Sequence, residues 1–584
     1  MSLRKSIVII NSHGFKPVAI LPDSTDIIIE TFIFAVNQYV MKRSLFILTW
    51  IVTFAAHAQD KPKLVVGIIV DQMRQEYLYR FEKKFGAGGF KRLISDGFML
   101  KNAHYNYIPT YTGPGHASVY TGTTPAIHGI IGNDWYDKVG KKDVNCVGDE
   151  RQKPVGNEKG TGDVSPWRML SSTITDELKL ATQKRAKVIG LSMKDRGAVL
   201  PAGHLADGAY WFDGLSGKFI SSTYYKPGLP VWLDKFNALN LADQYLNKEW
   251  KTLLPIEQYT ESGTDDSPYE TKLKKEDRPV FPYKLKELRT QYPNFDLITT
   301  VAFGDDLLTD AAKAAIDGEE LGKDDITDFL TISYSTPDII GHAMGPNSVE
   351  IEDTYLRLDK NLEDLLSNLD KKVGVGQYVV FLTADHAVSD VPLYLKDNKI
   401  PAGIFRQANV EAGLNDYLKK YFGEKKVIER IFNDQVFLNP EAFEGDPKTS
   451  GVDLLVATEL IGQYLLRTEG VADVYPASVL RSADFGEKGL KGNVVRGYNH
   501  KRSGDIAFVL EPNWIGWGGI VGTTHGSGYS YDTHVPVLFY GWGIKKGSSA
   551  QYHTITDIAP TLSVLLKIKF PSGCTGQPVV ELVD

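Results

Sequence analysis

The chain has 584 residues, enough for several ordinary domains or for one large enzyme domain with insertions. Its 42% hydrophobic content is that of a soluble globular protein, and a formal net charge of −7 with no long basic run stands against nucleic-acid binding. Neither Cys146 nor Cys574 has a C-x-x-C partner, which argues against a cysteine-based zinc site and leaves open either one disulfide or two free thiols.

In chain order, Met41-Lys42-Arg43 is followed by a short apolar run and by Ala56-His57-Ala58 before Gln59. A charged region, a short apolar core and an A-x-A site read as a secretory signal peptide over 41–58, with the mature chain starting near Gln59. Residues 1–40 read as a non-native extension upstream of the true start. The run is short for a membrane span and no cysteine follows it, so no membrane anchor is expected.

Residues 63–70, rich in Val and Ile, read as a strand ending at Asp71. A helix is expected over 77–95 and another over 167–184. Residues 187–191 read as a strand, 306–317 as a helix, 328–335 as a strand leading to Asp338, and 348–369 as a helix. Residues 377–382 lead as a strand into Asp385 and His386, and 535–540 form one more core strand. Apolar runs of this length suit strands buried on both faces. The alternation predicts an α/β fold, a mostly parallel central sheet sandwiched by helices. Residues from about 205 to 294 and from about 391 to 514 break it and are expected to be insertions forming a cap. The rest of 59–584 would be one catalytic domain.

Asp71, Asp338 and Asp385 fall at the carboxyl ends of strands, where such sheets place their sites. Zinc takes His nitrogen and Asp oxygen where cysteine is lacking. Asp338 and His342, spaced i, i+4, share one face of a helical turn and would form one metal site with His525. Asp71, Asp385 and His386 would form a second, with the Thr112 hydroxyl in its fourth position. Thr112, with Pro114 in the next turn, is expected to be a helix N-cap, which aims positive backbone dipoles at an anion. Metal coordination would activate its otherwise poor hydroxyl nucleophile. His116 and His128 are expected to be structural.

The segment 108–137, IPTYTGPGHASVYTGTTPAIHGIIGNDWYD, resembles the nucleotide pyrophosphatase/phosphodiesterase branch of the alkaline phosphatase superfamily. The resemblance implies that Thr112 is the nucleophile, that Asn133 contacts a phosphoryl oxygen, and that Asp71, Asp338, His342, Asp385, His386 and His525 hold two Zn2+ per chain. His534 is the rival for the last ligand, but the family's histidine precedes a glycine, which favours His525. Residues 192–204, SMKDRGAVLPAGH, are similar to the flavobacterial-type exported alkaline phosphatases, whose added Lys and Arg map to Lys194 and Arg196. These imply an exported, periplasmic or secreted enzyme hydrolysing small phosphate monoesters through a phosphothreonine. A diesterase on the same scaffold is the main alternative. A non-catalytic exported binding protein is a weaker one. A sulfatase lacks its cysteine context here.

Overall fold

The computed structural model describes residues 61–274, 276–445 and 451–583; the leader expected over 41–58 and the extension before it lie outside the described residues. Leu64–Val70 is a strand with every residue buried, which its Val and Ile side chains suit on both faces. It pairs in parallel with Asp328–Tyr334 on one side and Tyr378–Thr383 on the other. Val188–Ser192 and Gly208–Asp213 continue the parallel array beyond Asp328–Tyr334. His534–Gly541 and Phe98–His104 extend the other side antiparallel. Helices such as Phe303–Gly318 and Val349–Leu369 bury apolar stripes against the sheet, including Leu307, Leu308, Leu358 and Leu362.

The sheet reaches further into the first irregular region than expected. Gly208–Asp213 and Lys218–Ser222 are main-sheet strands, so the insertion proper follows them. Their Tyr-Trp-Phe and Phe-Ile runs bury both faces and hide the period of two. Two expected helices are also shorter. The 77–95 stretch is a short helix at Tyr77–Arg80, a 3₁₀ turn and a helix at Phe90–Asp96, interrupted by Gly86-Ala87-Gly88-Gly89. The 167–184 helix spans only Ile174–Ala181, because Thr173 and Asp176 close a capping box at its start.

Within 391–514 lies a separate four-stranded antiparallel sheet, in the order Ile428–Phe432, Gln435–Leu438, Ile506–Leu510, Val471–Pro476. Helices Gln407–Phe422 and Leu454–Leu466 cover it, with Leu414, Leu418, Ile461, Leu465 and Phe508 in a core of its own. Its first hairpin turns at Asn433 and Asp434, both at positive φ (50° and 54°), as a two-residue turn matched to strand twist requires. The Asn433 amide donates to the Asp134 carbonyl at 2.7 Å, which brings this turn beside the Asn133 loop.

Candidate metal centre and active site

The strand ends deliver the acidic residues. Asp71 follows Leu64–Val70 directly, Asp385 and His386 follow Tyr378–Thr383, and helix Thr336–Met344 carries Asp338 and His342 on one face. Asp71, Asp385 and His386 are fully buried, and Asp338 and His525 nearly so. One ligand atom from each of Asp338, His342 and His525 lies within a common 4.8 Å, and Asp338 forms a second such group with Asp71 and His386. Asp385 sits at the same place, its Oδ2 3.6 Å from His386 Nε2. Asp338 therefore stands between the two trios expected from the sequence.

These residues fit divalent cations. His342 Nδ1 lies 2.8 Å from the Thr523 carbonyl, His386 Nδ1 3.0 Å from that of Ala387, and His525 Nδ1 2.7 Å from that of Thr110. A carbonyl only accepts, so in each ring Nδ1 carries the hydrogen and Nε2 keeps the lone pair a metal needs. The Nε2 atoms turn inward, 3.2 Å (His342) and 3.7 Å (His525) from Asp338 Oδ1 and 3.4 Å (His386) from Asp71 Oδ1. Asp71 Oδ1, Asp385 Oδ2 and His386 Nε2 are buried without a hydrogen-bond partner. Burial and the charges of Asp338 and Asp385 push the Asp71 carboxyl well up. Burial and the neighbouring His386 and His342 hold the His525 imidazole well down, in its neutral form.

Thr112 begins the helix Thr112–Thr121 but does not cap it. Tyr111, with extended backbone, is the N-cap, and its carbonyl accepts the Gly115 N–H at 2.8 Å. Thr112 is thus one residue further in than expected, at the positive end of a buried helix. Asn133 Oδ1 accepts the Gly113 N–H at 2.7 Å, which fixes that amide beside Thr112. A Cβ on Gly115 would come within 2.2 Å of the Asp385 carbonyl oxygen, so the second glycine of the Gly-Pro-Gly run lets this helix pack on the metal-site backbone. His116 closes the contact: its ring bonds the Thr112 carbonyl and the Ser333 hydroxyl, both at 2.8 Å, and lies 3.3 Å from Asp385 Oδ2. His128 is a buried partner of Ser118.

The Lys194 ammonium donates to Asp71 Oδ2 at 2.7 Å and to Asp338 Oδ2 at 2.5 Å. Arg196, two residues on in helix Asp195–Ala202, faces Asp195 at 3.8 Å and keeps a buried Nε without a partner. His534 lies elsewhere, stacked on His104 and bonded to the Lys101 carbonyl. Cys146 and Cys574 are both free thiols.

Three contributors went unread in the sequence. Gln72, at φ 68°, donates its side-chain amide to Asp338 Oδ1 at 2.7 Å and its backbone N–H to Asp385 Oδ1 at 3.2 Å. Its one sequence signal is its place directly after Asp71. Asp532 Oδ2 accepts from the Gly526 and Ser527 N–H groups and the Ser527 hydroxyl, which pins the loop behind His525. Trp517 stacks on His342. A cavity of about 200 Å³ opens beside His525, lined among others by Tyr111, Asn433, Asp434, Trp514 and Asp532, so the second inserted sheet borders the site.

The sequence profile of the type I phosphodiesterase / nucleotide pyrophosphatase family matches residues 65–527. The chain belongs to that family. It is 46% identical over 90% of its length to alkaline phosphatase PafA of Elizabethkingia meningoseptica, covering 95% of that protein. It is 43% identical over 90% of its length to alkaline phosphatase PhoV of Synechococcus elongatus, covering 93% of that one. The crystal structure of wild-type PafA superposes with a TM-score of 0.86 at 45% identity, over 90% of this chain and 100% of that one. A second PafA structure, 44% identical with the same TM-score and coverage, carries replacements of a threonine, an asparagine, a lysine and an arginine. Within the family, the chain falls in the flavobacterial-type alkaline phosphatase branch.

Proposed function

We propose that this chain is an exported, zinc-dependent alkaline phosphatase that hydrolyses small phosphate monoesters through a phosphothreonine on Thr112. The observation that carries the reading is the convergence of unpartnered buried ligand atoms on Asp71, Asp385 and His386 next to the helix that Thr112 begins, with Lys194 bonded to Asp71 and to the neighbouring Asp338. The names of PafA and PhoV support the activity, and the replaced residue types in the second PafA structure are those of Thr112, Asn133, Lys194 and Arg196.

Asp338, His342 and His525 would hold one zinc ion, and Asp71, Asp385 and His386 the other. Two such ions supply Lewis-acid stabilisation of the attacking and leaving oxygens and lower the pKa of the nucleophile's hydroxyl. Thr112 Oγ1 attacks phosphorus in line as the alcohol departs, and water then attacks the phosphothreonine to release phosphate and restore the hydroxyl. The positive end of the Thr112 helix faces the incoming anion. The Asn133 amide, steadied by Gly113, donates to one non-bridging oxygen. Lys194 and Arg196 hold the others, the electrostatic part of phosphoryl transfer. His116 steadies the first turn of that helix against Ser333 and Asp385. Export rests on the leader read at 41–58; no described helix is long and apolar enough to cross a membrane.

The family profile bears a phosphodiesterase name, which keeps diester hydrolysis as the second reading. Hydrolysis of an aryl phosphate monoester beside its methyl diester separates the two. The monoester is expected to turn over with much the larger kcat/KM, and preference for the diester would overturn the proposal.

A further inference from the structure

The inserted antiparallel sheet delivers a carboxylate that the proposed reaction does not use. Asp434 stands at the turn between Ile428–Phe432 and Gln435–Leu438, and its carbonyl accepts the Phe508 N–H at 2.9 Å. The neighbouring Asn433 is bonded to the Asp134 carbonyl, so the turn is tied to the Asn133 loop. The Asp434 carboxyl itself makes no hydrogen bond or ion pair among the described residues. Burial pushes it up to about 7, and no cation brings it back.

Asp434 lines the cavity of about 200 Å³ beside His525. Gln407 and Asp434 stand on the side of the inserted region, and Tyr111 and His525 on the side of the Asp/His centre. The Tyr111 ring meets the His525 ring edge-on, centroids 5.7 Å apart. Asp434 is close enough to the Tyr111 phenol that, after burial, its charge is the largest cause raising that phenol. Asp532 lines the same cavity, and its Oδ1 is buried without a partner. Among the described residues no Lys or Arg lines this space, and Trp514 and Phe508 add aromatic wall. It is therefore negative and partly aromatic, unlike the phosphoryl end of the site with Lys194 and Arg196. A lone carboxylate in such a place favours a cation that can hydrogen-bond to it, and aromatic walls accept an ammonium.

The position decides which part of a substrate the cavity meets. The helix that Thr112 begins packs on Asp385, through His116 at 3.3 Å. In an in-line displacement the alcohol leaves on the side away from Thr112, which is the side of Asp338, His342 and His525. The cavity is smaller than the roughly 300–1,000 Å³ of a drug-sized site, so it suits a short alcohol. We propose that this cavity is the subsite for the substrate's alcohol, and that Asp434 selects alcohols carrying a protonated amine: the preferred substrates are phosphate monoesters of short amino alcohols. The inference rests on the phosphatase reading above and gives that reaction a substrate class.

The test compares aminoethyl phosphate with propyl phosphate, which match in shape and differ by the ammonium group, in wild-type and Asp434→Asn protein. At about pH 8 the carboxylate is ionised and a primary amine is still protonated. Asparagine tolerates the positive φ of this turn, so the variant keeps the hairpin. The ammonium also makes the amino alcohol a better leaving group, but that advantage cancels when the ratio of kcat/KM for the two esters is compared between the two proteins. The ratio is expected to fall by about 10–100-fold in Asp434→Asn, the span of one charge-assisted hydrogen bond, with the loss carried by aminoethyl phosphate. Equilibrium binding of the two esters to zinc-loaded Thr112→Ala protein should show the same preference without turnover, and Asp434→Asn in that background should remove it. An unchanged ratio with both esters turned over would overturn the inference alone. A stronger preference for glyceryl phosphate that Asp434→Asn removes would overturn it too, because the carboxylate would then be reading hydroxyls. If wild type hydrolyses neither ester, the phosphatase reading falls and this inference with it.

Discussion

The Trp517 indole lies flat on the His342 imidazole, ring centroids 5.6 Å apart and planes 6° from parallel. The indole N–H donates to the Val521 carbonyl at 2.8 Å, and Arg406 from the second inserted region donates to the Gly518 carbonyl at 2.5 Å. His342 is thus held at Nδ1 by Thr523 and across its face by a loop that the inserted region anchors. Residues that orient a metal-binding imidazole set its affinity almost as firmly as the ligand itself.

Trp517→Ala is therefore expected to weaken zinc binding by about 10–100-fold, the usual cost of losing an orienting partner. Competition with a chelating dye measures this without reference to turnover. Trp517→Phe, which keeps an aromatic face but not the N–H, should recover most of the affinity. An unchanged zinc affinity in Trp517→Ala would show that Thr523 alone orients the ring.

Thr112→Ala should remove the covalent route while both metals stay bound. Losing an activated nucleophile costs several orders of magnitude in kcat. Thr112→Ser should keep substantial activity, since it offers the same oxygen at the same helix position. The covalent step is read directly by trapping phosphate on the protein at low pH; wild type should be labelled and Thr112→Ala should not. A fully active Thr112→Ala protein would end the phosphothreonine mechanism.

Metal analysis should return about two zinc per chain, since six protein ligands in two groups of three leave room for substrate at each ion. Chelation should abolish turnover and zinc should restore it. His525→Ala should cost far more activity than His534→Ala, because only His525 turns its Nε2 toward Asp338. His534 stacks on His104 instead. Equal losses would mean that His534 supports the site through the inner sheet strand it starts.

The parallel strands 64–70, 328–334 and 378–383 were legible because apolar, β-branched runs buried on both faces look like little else, and each leads into an aspartate of the site. The Asp338–His342 pair was legible because helical spacing is local. What escaped was tertiary. Gln72 acts through a positive-φ turn that its residue type does not announce, and Trp517 through a loop folded back over a histidine 175 positions earlier in the chain. Strands 208–213 and 218–222 were misplaced because aromatic residues on both faces erase the alternation that marks a strand.

In the proposed reaction, the specificity of the site would turn on Lys194 and Arg196. A monoester dianion offers one more charged oxygen than a diester, and these two cations are the groups proposed to bind it. Lys194 already reaches Asp71 and Asp338, and the buried Arg196 Nε has no protein acceptor. Charge-assisted hydrogen bonds are worth about 1.5–3 kcal/mol each, so losing both should cost roughly two to four powers of ten. Monoesterase kcat/KM should fall steeply in the Lys194→Ala/Arg196→Ala double variant, and diesterase kcat/KM much less. The single losses need not add, because both cations can contact one oxygen or share a water. Lys194 has a second role to separate from the first. It neutralises carboxylates that the proposed metals would also use, so its removal should alter zinc content, and each variant must be assayed at matched metal loading. With that control, an equal fall for both substrates would mean that the pair supports the site generally and does not discriminate monoester from diester.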